Sequence, residues 1–342
     1  MAFTVILRGG CEVHSGSRIC GWGQALPRRK LASGLLESQH GLPVGSLVAS
    51  TGVETRYIAN RREDETQVAL GLRAGQAALA SASLPASSVD LIIAAAAVPQ
   101  QLIPGTAALF HRGLGLPDGS CRTMDVNTTC LSALSALELA DSYIRTGRAS
   151  RVLIISSEIA SAALPWKTAP KVAALFGDGA GAWLIEGADQ PGILGSSFAS
   201  FPSAFEACQI PVGGTANTPH DDIDFFMQHA FFEMDGEALY RLVRSEFEGF
   251  LFAFLEQIDW SLDDVDFFVP HQASPVSLVH MARAFRVRRE QYIDLTRSHG
   301  NQIAASLPIA FAEARTRGQI SDGSRVLLLG TSAGVQFGAA AL

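Results

Sequence analysis

Residues 150–156 read SRVLIIS and residues 324–330 read SRVLLLG, so an apolar stretch returns after 174 residues. A second pair, SVDLII at 88–93 and DVDFFV at 264–269, recurs after 176 residues. Two matches at nearly one offset indicate a duplicated unit, and a repeat of this kind strongly constrains the fold. The sequence therefore predicts a chain built from two similar halves.

The order of patterns is the same in the two halves. A helical pattern over residues 63–82 precedes an apolar run at 91–98, and one over 237–258 precedes a run at 267–270. These runs are continuous rather than alternating, which is typical of strands buried on both faces of a parallel sheet. We expect two α/β halves related by a pseudo-twofold axis, each with a mostly parallel sheet, packed around shared helices.

The boundary between the halves is indicated by composition. Residues 188–218 are rich in Gly, Pro and Ser, so we expect an irregular bridge there. The halves are therefore residues 1–187 and residues 188–342, with no proline-rich linker between them.

Composition and charge exclude several classes of function. The chain has 342 residues, of which 48% are hydrophobic and 17% charged, and such a chain buries a large core. Its net charge of −7 disfavours nucleic-acid binding, and no apolar run approaches the roughly 20 residues of a membrane span. Residues 1–10 lack the features of a signal peptide, and the five cysteines match no zinc or disulfide framework. We therefore expect a reduced, cytoplasmic protein.

Cys130 lies where a predicted strand, residues 123–127, gives way to a predicted helix, residues 131–146. The free N–H groups at a helix N-terminus favour a thiolate, which is the nucleophilic form of cysteine. The same N–H groups can stabilise an oxyanion. A free cysteine is more often a buried structural residue, so the case for Cys130 as a nucleophile depends on its partners.

Two polar residues occupy matching places in the second half. His271 follows the predicted strand 267–270, and Asn301 precedes a predicted helix over 306–316. Ligands in open α/β sheets bind beyond the carboxyl ends of strands, so both residues are expected near Cys130. Cys130 would accept an acyl group, while the Nε2–H of His271 and the amide of Asn301 would stabilise the enolate formed as carbon dioxide leaves. Taken singly, His271 is better explained as a strand-end residue and Asn301 as a helix cap.

Five motifs, in order along the chain, carry a resemblance to a known family. They are DVNTTC at 125–130, FGDGAGA at 176–182, HQA at 271–273, GN at 300–301 and GTSAGVQFGA at 330–339. Together they resemble β-ketoacyl-acyl-carrier-protein synthase III, a family of thiolase-fold condensing enzymes. One such motif is weak, whereas five in register are specific to the superfamily.

The resemblance implies a thiolase-like fold, a homodimer and a two-step reaction without a metal or redox cofactor. An acyl thioester of coenzyme A or of a carrier protein would load Cys130. Malonyl acyl carrier protein would then lose carbon dioxide and attack, giving a 3-oxoacyl thioester for fatty-acid or related biosynthesis. His271 and Asn301 would form the decarboxylation pair, and the backbone N–H groups of Cys130 and Ala333 the oxyanion hole. We interpret residues 177–182 as a tight turn near the core and dimer face, since a phosphate loop would need a Lys.

The sequence departs from the family pattern where coenzyme A is expected to bind. The Trp and Arg that commonly clamp the adenine are absent from residues 46–50, and Val276 stands where an Arg is usual. The donor could thus be a longer acyl-coenzyme A, a carrier-protein thioester, or a dicarboxylic primer held by Lys167 or Lys171. Candidates for the acyl pocket, although core packing is the simpler expectation for each, are Leu102, Ile103, Phe205 and Phe231.

Two further functions are compatible with the fold. One is an acyltransferase that passes the acyl group to an alcohol or amine without decarboxylation, and the presence of Asn301 disfavours it. The other is a non-catalytic partner subunit, which the presence of Cys130 and His271 disfavours. A basic cluster predicts a docking site for an acidic carrier protein, with a solvated helix end as an equal alternative: Arg283, Arg286, Arg288 and Arg289.

Overall fold

The computed structural model describes residues 14–342. Cys11 and residues 1–10, in which no signal peptide is predicted, lie outside the described residues. The strands are β1 Gly16–Ala25, β2 Lys30–Ala32, β3 Thr55–Tyr57, β4 Leu91–Ala95, β5 Arg122–Val126, β6 Arg151–Glu158, β7 Gly179–Ala188, β8 Gly195–Ser200, β9 Cys208–Gln209, β10 Glu233–Met234, β11 Phe267–Pro270, β12 Val326–Ser332 and β13 Gln336–Ala341. The helices are α1 Ser33–His40, α2 Ser46–Thr51, α3 Gln67–Ser81, α4 Thr106–Gly113, α5 Ser132–Arg145, α6 Pro170–Ala173, α7 Ile223–His229, α8 Gly236–Gln257, α9 Pro275–Ala284, α10 Thr296–His299 and α11 Ser306–Thr316.

Two sheets repeat the same strand order. The first is β1-β7-β6-β4-β5, and the second is β8-β13-β12-β11. The stretches paired in the sequence therefore lie at equivalent places, β6 with β12 and β4 with β11. In place of a second β5, Tyr292 forms an isolated parallel bridge to Phe268 of β11. The sheets thus follow the predicted repeat, while the boundary at residue 187, one residue before β7 ends, stays a prediction.

Helices α5 and α11 lie between the two sheets. One core cluster joins α5 residues such as Leu134, α11 residues such as Ile309, Ile154 of the first sheet and Leu328 of the second. Each of these side chains is fully buried, which stabilises the fold by about 1.5–3 kcal/mol per residue. Helices α3 and α4 cover the outer face of the first sheet, and α8 and α9 cover that of the second. The predicted packing of two α/β halves around shared helices is confirmed.

The expectation of mostly parallel sheets is wrong. The pairs β4–β5, β4–β6 and β11–β12 are parallel, whereas β7 and β13 run antiparallel to both of their neighbours. A continuous apolar run reports burial on both faces and carries no information on strand direction.

Two local expectations also need correction. The bridge predicted at 188–218 contains β8, which pairs along its whole length with β13 although its sequence, GSSFAS, has no apolar run. Residues 179–182 of the glycine-rich stretch start β7 rather than a turn. Close packing is nevertheless the reason for glycine there, because a Cβ on Gly181 would lie 2.7 Å from the backbone nitrogen of Ile309.

Within residues 14–342, none of the helices combines the length and the apolar character that crossing a lipid bilayer requires.

Candidate active site

Cys130 lies in a single 3-10 turn, Thr129–Leu131, between β5 and α5. Thr129 has a left-handed backbone, with φ of 50°, which is uncommon for a β-branched residue. Hydrogen bonds hold this conformation: the Thr129 N–H donates to Oδ1 of Asn127 at 2.9 Å, and the Ser132 hydroxyl donates to the Thr129 carbonyl at 2.7 Å. The Thr129 hydroxyl also donates to the carbonyl of Ala333 at 3.2 Å. The turn that carries Cys130 is therefore tied to the β12–β13 loop of the other half.

The expectation that the helix N-terminus makes Cys130 a thiolate is wrong. Cys130 is partly exposed to a cavity, yet burial of its thiol among protein atoms raises its pKa to about 12. The backbone N–H groups of Ala333 and of Cys130 itself act in the opposite direction, because each can hydrogen-bond the ionised sulfur. A helix N-terminus stabilises a nearby negative charge by about 0.3–1 kcal/mol, whereas removing that charge from water costs several kcal/mol. Cys130 is thus a thiol at pH 7 and needs a base.

His271 follows β11 directly and is buried as a neutral imidazole. Burial lowers its pKa to about 4. Its Nδ1 lies 2.7 Å from Oγ of Ser306, which also accepts the N–H of Gln272 at 3.3 Å. Gly330 permits this placement, since a Cβ there would lie 2.6 Å from Cβ of His271. The Nε2 atom is left without a protein partner among the described residues, and it is free to act on a substrate.

Asn301 is held by its backbone, so that its side-chain amide is available. Its N–H donates to the Leu175 carbonyl at 2.7 Å, and its Oδ1 accepts the N–H of Ile303 at 2.8 Å. Gly300 has φ of 69°, and a Cβ there would lie 2.8 Å from that same carbonyl. With Oδ1 occupied, the Nδ2 hydrogens of Asn301 are the donors that remain for a ligand.

The turn that carries Cys130 has a counterpart in the second half. Ile303, like Thr129, is left-handed, with φ of 51°, and it starts a 3-10 turn immediately before α11. The two residues are 174 apart, which is the offset of the sequence repeat, and Cys130 corresponds to Ala304. Ser306 stands at the same offset from Ser132. Sequence reasoning missed Ser306, although applying the offset to Ser132, two residues after Cys130, leads to it.

One cavity of about 1490 Å³ brings the predicted catalytic residues together. Cys130, His271, Asn301 and Ala333 all line it. It therefore presents a thiol, a neutral imidazole, an amide donor and backbone N–H groups to one substrate. Such a set can accept an acyl group and stabilise negative charge on oxygen without a metal. Within the described part of the chain, no cluster of three or more His, Cys, Asp or Glu side chains is placed to hold a metal ion.

Glu158, at the end of β6, is a second residue that sequence reasoning did not single out. It lines the same cavity and is buried, and the N–H of Ala97 donates to its Oε1 at 2.6 Å. Burial raises its pKa to about 8, so the carboxyl is protonated at pH 7. It consequently adds no negative charge beside Cys130 at that pH. An acidic residue at the end of an apolar strand was the available signal.

The other candidates are divided between the cavity and the surface. Phe205 lines the cavity, whereas Leu102, Ile103 and Phe231 do not. Leu102 is 79% exposed and Ile103 is 85% exposed, so neither packs in the core. Neither Lys167 nor Lys171 lines the cavity, and both are exposed, so neither is placed to hold a distal carboxylate.

The basic cluster lies at the end of α9 and just beyond it, and all four side chains are exposed. Arg283 lines the mouth of the active-site cavity, and Arg286 and Arg288 line a separate surface cavity of about 950 Å³. Arg288 pairs with Glu290 at 3.3 Å and Arg289 lies 3.9 Å from Asp294. Among the described residues, Arg283 and Arg286 have no ion-pair partner.

Comparison with known proteins accounts for this arrangement. The sequence model of 3-oxoacyl-[acyl-carrier-protein (ACP)] synthase III matches residues 124–202, and the model of its C-terminal part matches residues 255–342. Both models describe one family, and the chain is similar to the 3-oxoacyl-[acyl-carrier-protein] synthase III family. The chain is an enzyme, an acyltransferase of the condensing type.

Solved structures support the family and the fold. The 3-oxoacyl-(acyl carrier protein) synthase III of Pseudomonas aeruginosa PAO1 is 28% identical, with a TM-score of 0.84 over 96% of this chain and 98% of that one. The enzyme of Aquifex aeolicus VF5 is 29% identical, with a TM-score of 0.83 over 95% and 99%. The priming β-ketosynthase of the R1128 polyketide biosynthetic pathway is 22% identical, covers 96% of each chain, and shares the fold with a TM-score of 0.88.

Proposed function

We propose that this protein loads an acyl group onto Cys130 and joins it to malonyl acyl carrier protein with loss of carbon dioxide, giving a 3-oxoacyl thioester. The observation that carries the proposal is the convergence of Cys130, neutral His271 and the free amide of Asn301 on one cavity. No redox cofactor or metal enters the mechanism, because these groups supply the proton transfer and the electrostatic stabilisation.

Loading of Cys130 requires a base. His271 is neutral at pH 7, and the Ser306 hydroxyl can either accept from Nδ1 or donate to it. When Nδ1–H donates to Ser306, Nε2 can accept the proton of the Cys130 thiol. The sulfur then attacks the thioester carbonyl, the backbone N–H groups of Cys130 and Ala333 stabilise the oxyanion, and the thiol of the donor leaves with the proton.

Condensation uses the other tautomer of His271. When the Ser306 hydroxyl donates to Nδ1, Nε2–H and the Nδ2 hydrogens of Asn301 can both donate to the thioester oxygen of the malonyl group. They stabilise the enolate that forms as the carbon–carboxylate bond breaks and carbon dioxide departs. The α-carbon then attacks the acyl carbonyl on Cys130, and the Cys130 sulfur is the leaving group.

We also propose a cytoplasmic homodimer. Cys20, Cys130 and Cys208 are free thiols, as expected in a reducing compartment. Among the described residues, β5 pairs with β4 alone, so its other edge is available to extend the sheet in a second copy. Sedimentation should give about twice the chain mass of 36.2 kDa; a monomer at working concentration would contradict the dimer.

We further propose that Arg283, Arg286, Arg288 and Arg289 dock the acidic carrier protein. All four are exposed at the end of α9 or just beyond it, and Arg283 lines the cavity mouth. A positive patch on a protein of net charge −7 would steer an acidic partner to that place.

Intact-protein mass spectrometry tests the reaction. The protein is incubated with acyl-coenzyme A and acyl carrier thioesters, and malonyl acyl carrier protein is then added while carbon dioxide is measured. We expect an acyl adduct that is absent in Cys130→Ala and that disappears on addition of the malonyl substrate. An adduct cleared only by alcohols or amines would indicate the acyltransferase instead, and absence of any adduct would refute both functions.

A further inference from the structure

The repeat of 174 residues relates the surroundings of Asn301 to those of Asn127 in the first half. Each asparagine accepts, at Oδ1, the backbone N–H of the residue two positions later, at 2.9 Å for Asn127 and at 2.8 Å for Asn301. Those later residues, Thr129 and Ile303, are both left-handed, and each starts a 3-10 turn. The second turn therefore fixes the direction of the Asn301 amide, because its first N–H occupies Oδ1.

The second turn lacks the side-chain hydrogen bonds that hold the first. In the first turn the Thr129 hydroxyl donates to a carbonyl of the β12–β13 loop, and the Ser132 hydroxyl donates to the Thr129 carbonyl. Ile303 has no hydroxyl, and the hydroxyl of Ser306, the counterpart of Ser132, lies 2.7 Å from Nδ1 of His271. A left-handed β-branched residue persists only where its surroundings hold it. The turn at Ile303 therefore needs another contact.

Glu158 supplies that contact. It ends β6, it is buried, and its Oε1 accepts the N–H of Ala97 at 2.6 Å. The backbone N–H groups of Val98 and Ala304 also hydrogen-bond this carboxyl. Ala304 is the middle residue of the second turn and corresponds to Cys130 in the repeat. The N–H that the proposed reaction uses for an oxyanion at Cys130 is thus bound, at Ala304, by the side chain of Glu158.

The repeat also shows why the first half is not closed in the same way. The place equivalent to Glu158 in the second half is Ser332, at the end of β12. A serine has no carboxyl to bind the N–H of Cys130, so in the proposed reaction that N–H is left to the substrate. The same backbone turn therefore serves the substrate in one half and is anchored by a side chain in the other.

We infer, building on the proposed function, that Glu158 is a positioning residue for decarboxylation: its carboxyl holds the Ile303–Ala305 turn, which keeps the Nδ2 hydrogens of Asn301 directed at the malonyl thioester. Separate backbone hydrogen bonds, to Leu175 and Gly177, fix the position of Asn301. They leave the rotation of its amide to the bond between the turn and Oδ1. Loading of the active-site thiol does not use this amide, so Glu158 should affect decarboxylation and not loading.

Glu158→Gln tests the contact at constant charge. Because burial raises the pKa of Glu158 to about 8, the carboxyl is neutral at pH 7, as an amide is. Both carboxyl oxygens can accept a hydrogen bond, whereas the amide has a single acceptor oxygen for the three N–H groups. Decarboxylation of malonyl acyl carrier protein, followed in the Cys130→Ala background, should lose at least about tenfold in kcat with KM nearly unchanged. Loading of Cys130 by an acyl carrier thioester should be as fast as in the natural sequence.

Glu37, on α1 and outside the active-site cavity, provides the matched control. It is buried as well, and its two carboxyl oxygens accept the N–H groups of Gly45 and Leu47 at 2.7 and 2.8 Å. Glu37→Gln makes the same exchange of an oxygen for an NH₂ group. It should lower stability in urea, as Glu158→Gln does, but leave the ratio of the decarboxylation rate to the loading rate unchanged. A merely structural role of Glu158 would give the two variants the same ratio.

Ile303→Gly tests the path through the turn, because glycine adopts a left-handed backbone without strain. In this background Glu158→Gln should slow decarboxylation several-fold less than it does in the natural sequence. The inference is overturned if Glu158→Gln leaves decarboxylation unchanged, slows loading equally, or has as large an effect in the Ile303→Gly background; in each case the proposed function stands. If the Cys130→Ala protein releases no carbon dioxide from malonyl acyl carrier protein and the natural sequence loads no acyl group, the proposed function fails and the inference falls with it.

Discussion

Replacing Ser306 by Ala should impair decarboxylation by His271 without altering the fold. The change removes the hydroxyl that lies 2.7 Å from Nδ1, in a place where both residues are buried. A buried group left without its hydrogen-bond partner costs about 1–3 kcal/mol. If that cost falls on the tautomer that donates from Nε2, decarboxylation slows by about 5- to 150-fold, since each 1.36 kcal/mol is tenfold.

The assay isolates this step in a Cys130→Ala background, where no acyl group can load and only release of carbon dioxide from malonyl acyl carrier protein is followed. Ser132→Ala is the matched control, because Ser132 stands at the equivalent place in the repeat and its hydroxyl donates to the Thr129 carbonyl at 2.7 Å. Both variants should lose similar stability in denaturant, but only Ser306→Ala should slow decarboxylation. Equal rates in the two variants would refute the assigned role of Ser306.

Three further outcomes follow from the structure. Gly330→Ala adds a Cβ that displaces His271 and should lower the decarboxylation rate at least about tenfold. Gly249→Ala, in open space on α8, should leave the stability of the fold unchanged or raise it by about 1 kcal/mol. The decarboxylation rate and thermal unfolding are measured for both variants. Burial raises the pKa of Glu158 to about 8 in the folded protein. The stability that its protonated carboxyl contributes is therefore fully present below the ordinary pKa of a glutamate and is lost as pH rises towards 8. The free energy of unfolding of Glu158→Gln, measured in urea, should therefore rise relative to that of the natural sequence by at most about 1.4 kcal/mol per pH unit between pH 5 and 8. A difference between the two proteins that does not change with pH would contradict the buried neutral carboxyl. Arg286→Glu, in the cluster but outside the active-site cavity, should raise the KM for malonyl acyl carrier protein several-fold at low salt and leave the KM for malonyl-coenzyme A nearly unchanged. Arg148→Glu, at an exposed site on the other half, should alter neither KM.

Much of the candidate site was predictable because local sequence encodes strands, helix starts and repeats. The apolar runs at residues 151–155 and 326–329 identified equivalent strands, and the turn at Cys130 was visible as a strand followed by a helix. His271 and Asn301 were found for the same reason, since both stand beside elements with clear apolar patterns. The strand β8 was missed because small polar residues form it only where β13 supplies the partner.

Protonation was decided by tertiary structure alone. The N-terminus of α5, read from the sequence, predicted a thiolate at Cys130, whereas burial between the two halves raises its pKa to about 12 and lowers that of His271 to about 4. Desolvation depends on which atoms of distant segments surround a group, and no local pattern reports it.

The sequence by itself thus determined the duplicated α/β halves and the residues that carry the proposed chemistry, because periodicity and offset are properties of the chain. The tertiary structure decided the strand directions of β7 and β13, the contact of Ser306 with His271 and the presence of Glu158 in the cavity of Cys130. These features arise where segments far apart in sequence meet, and packing between the halves fixes them.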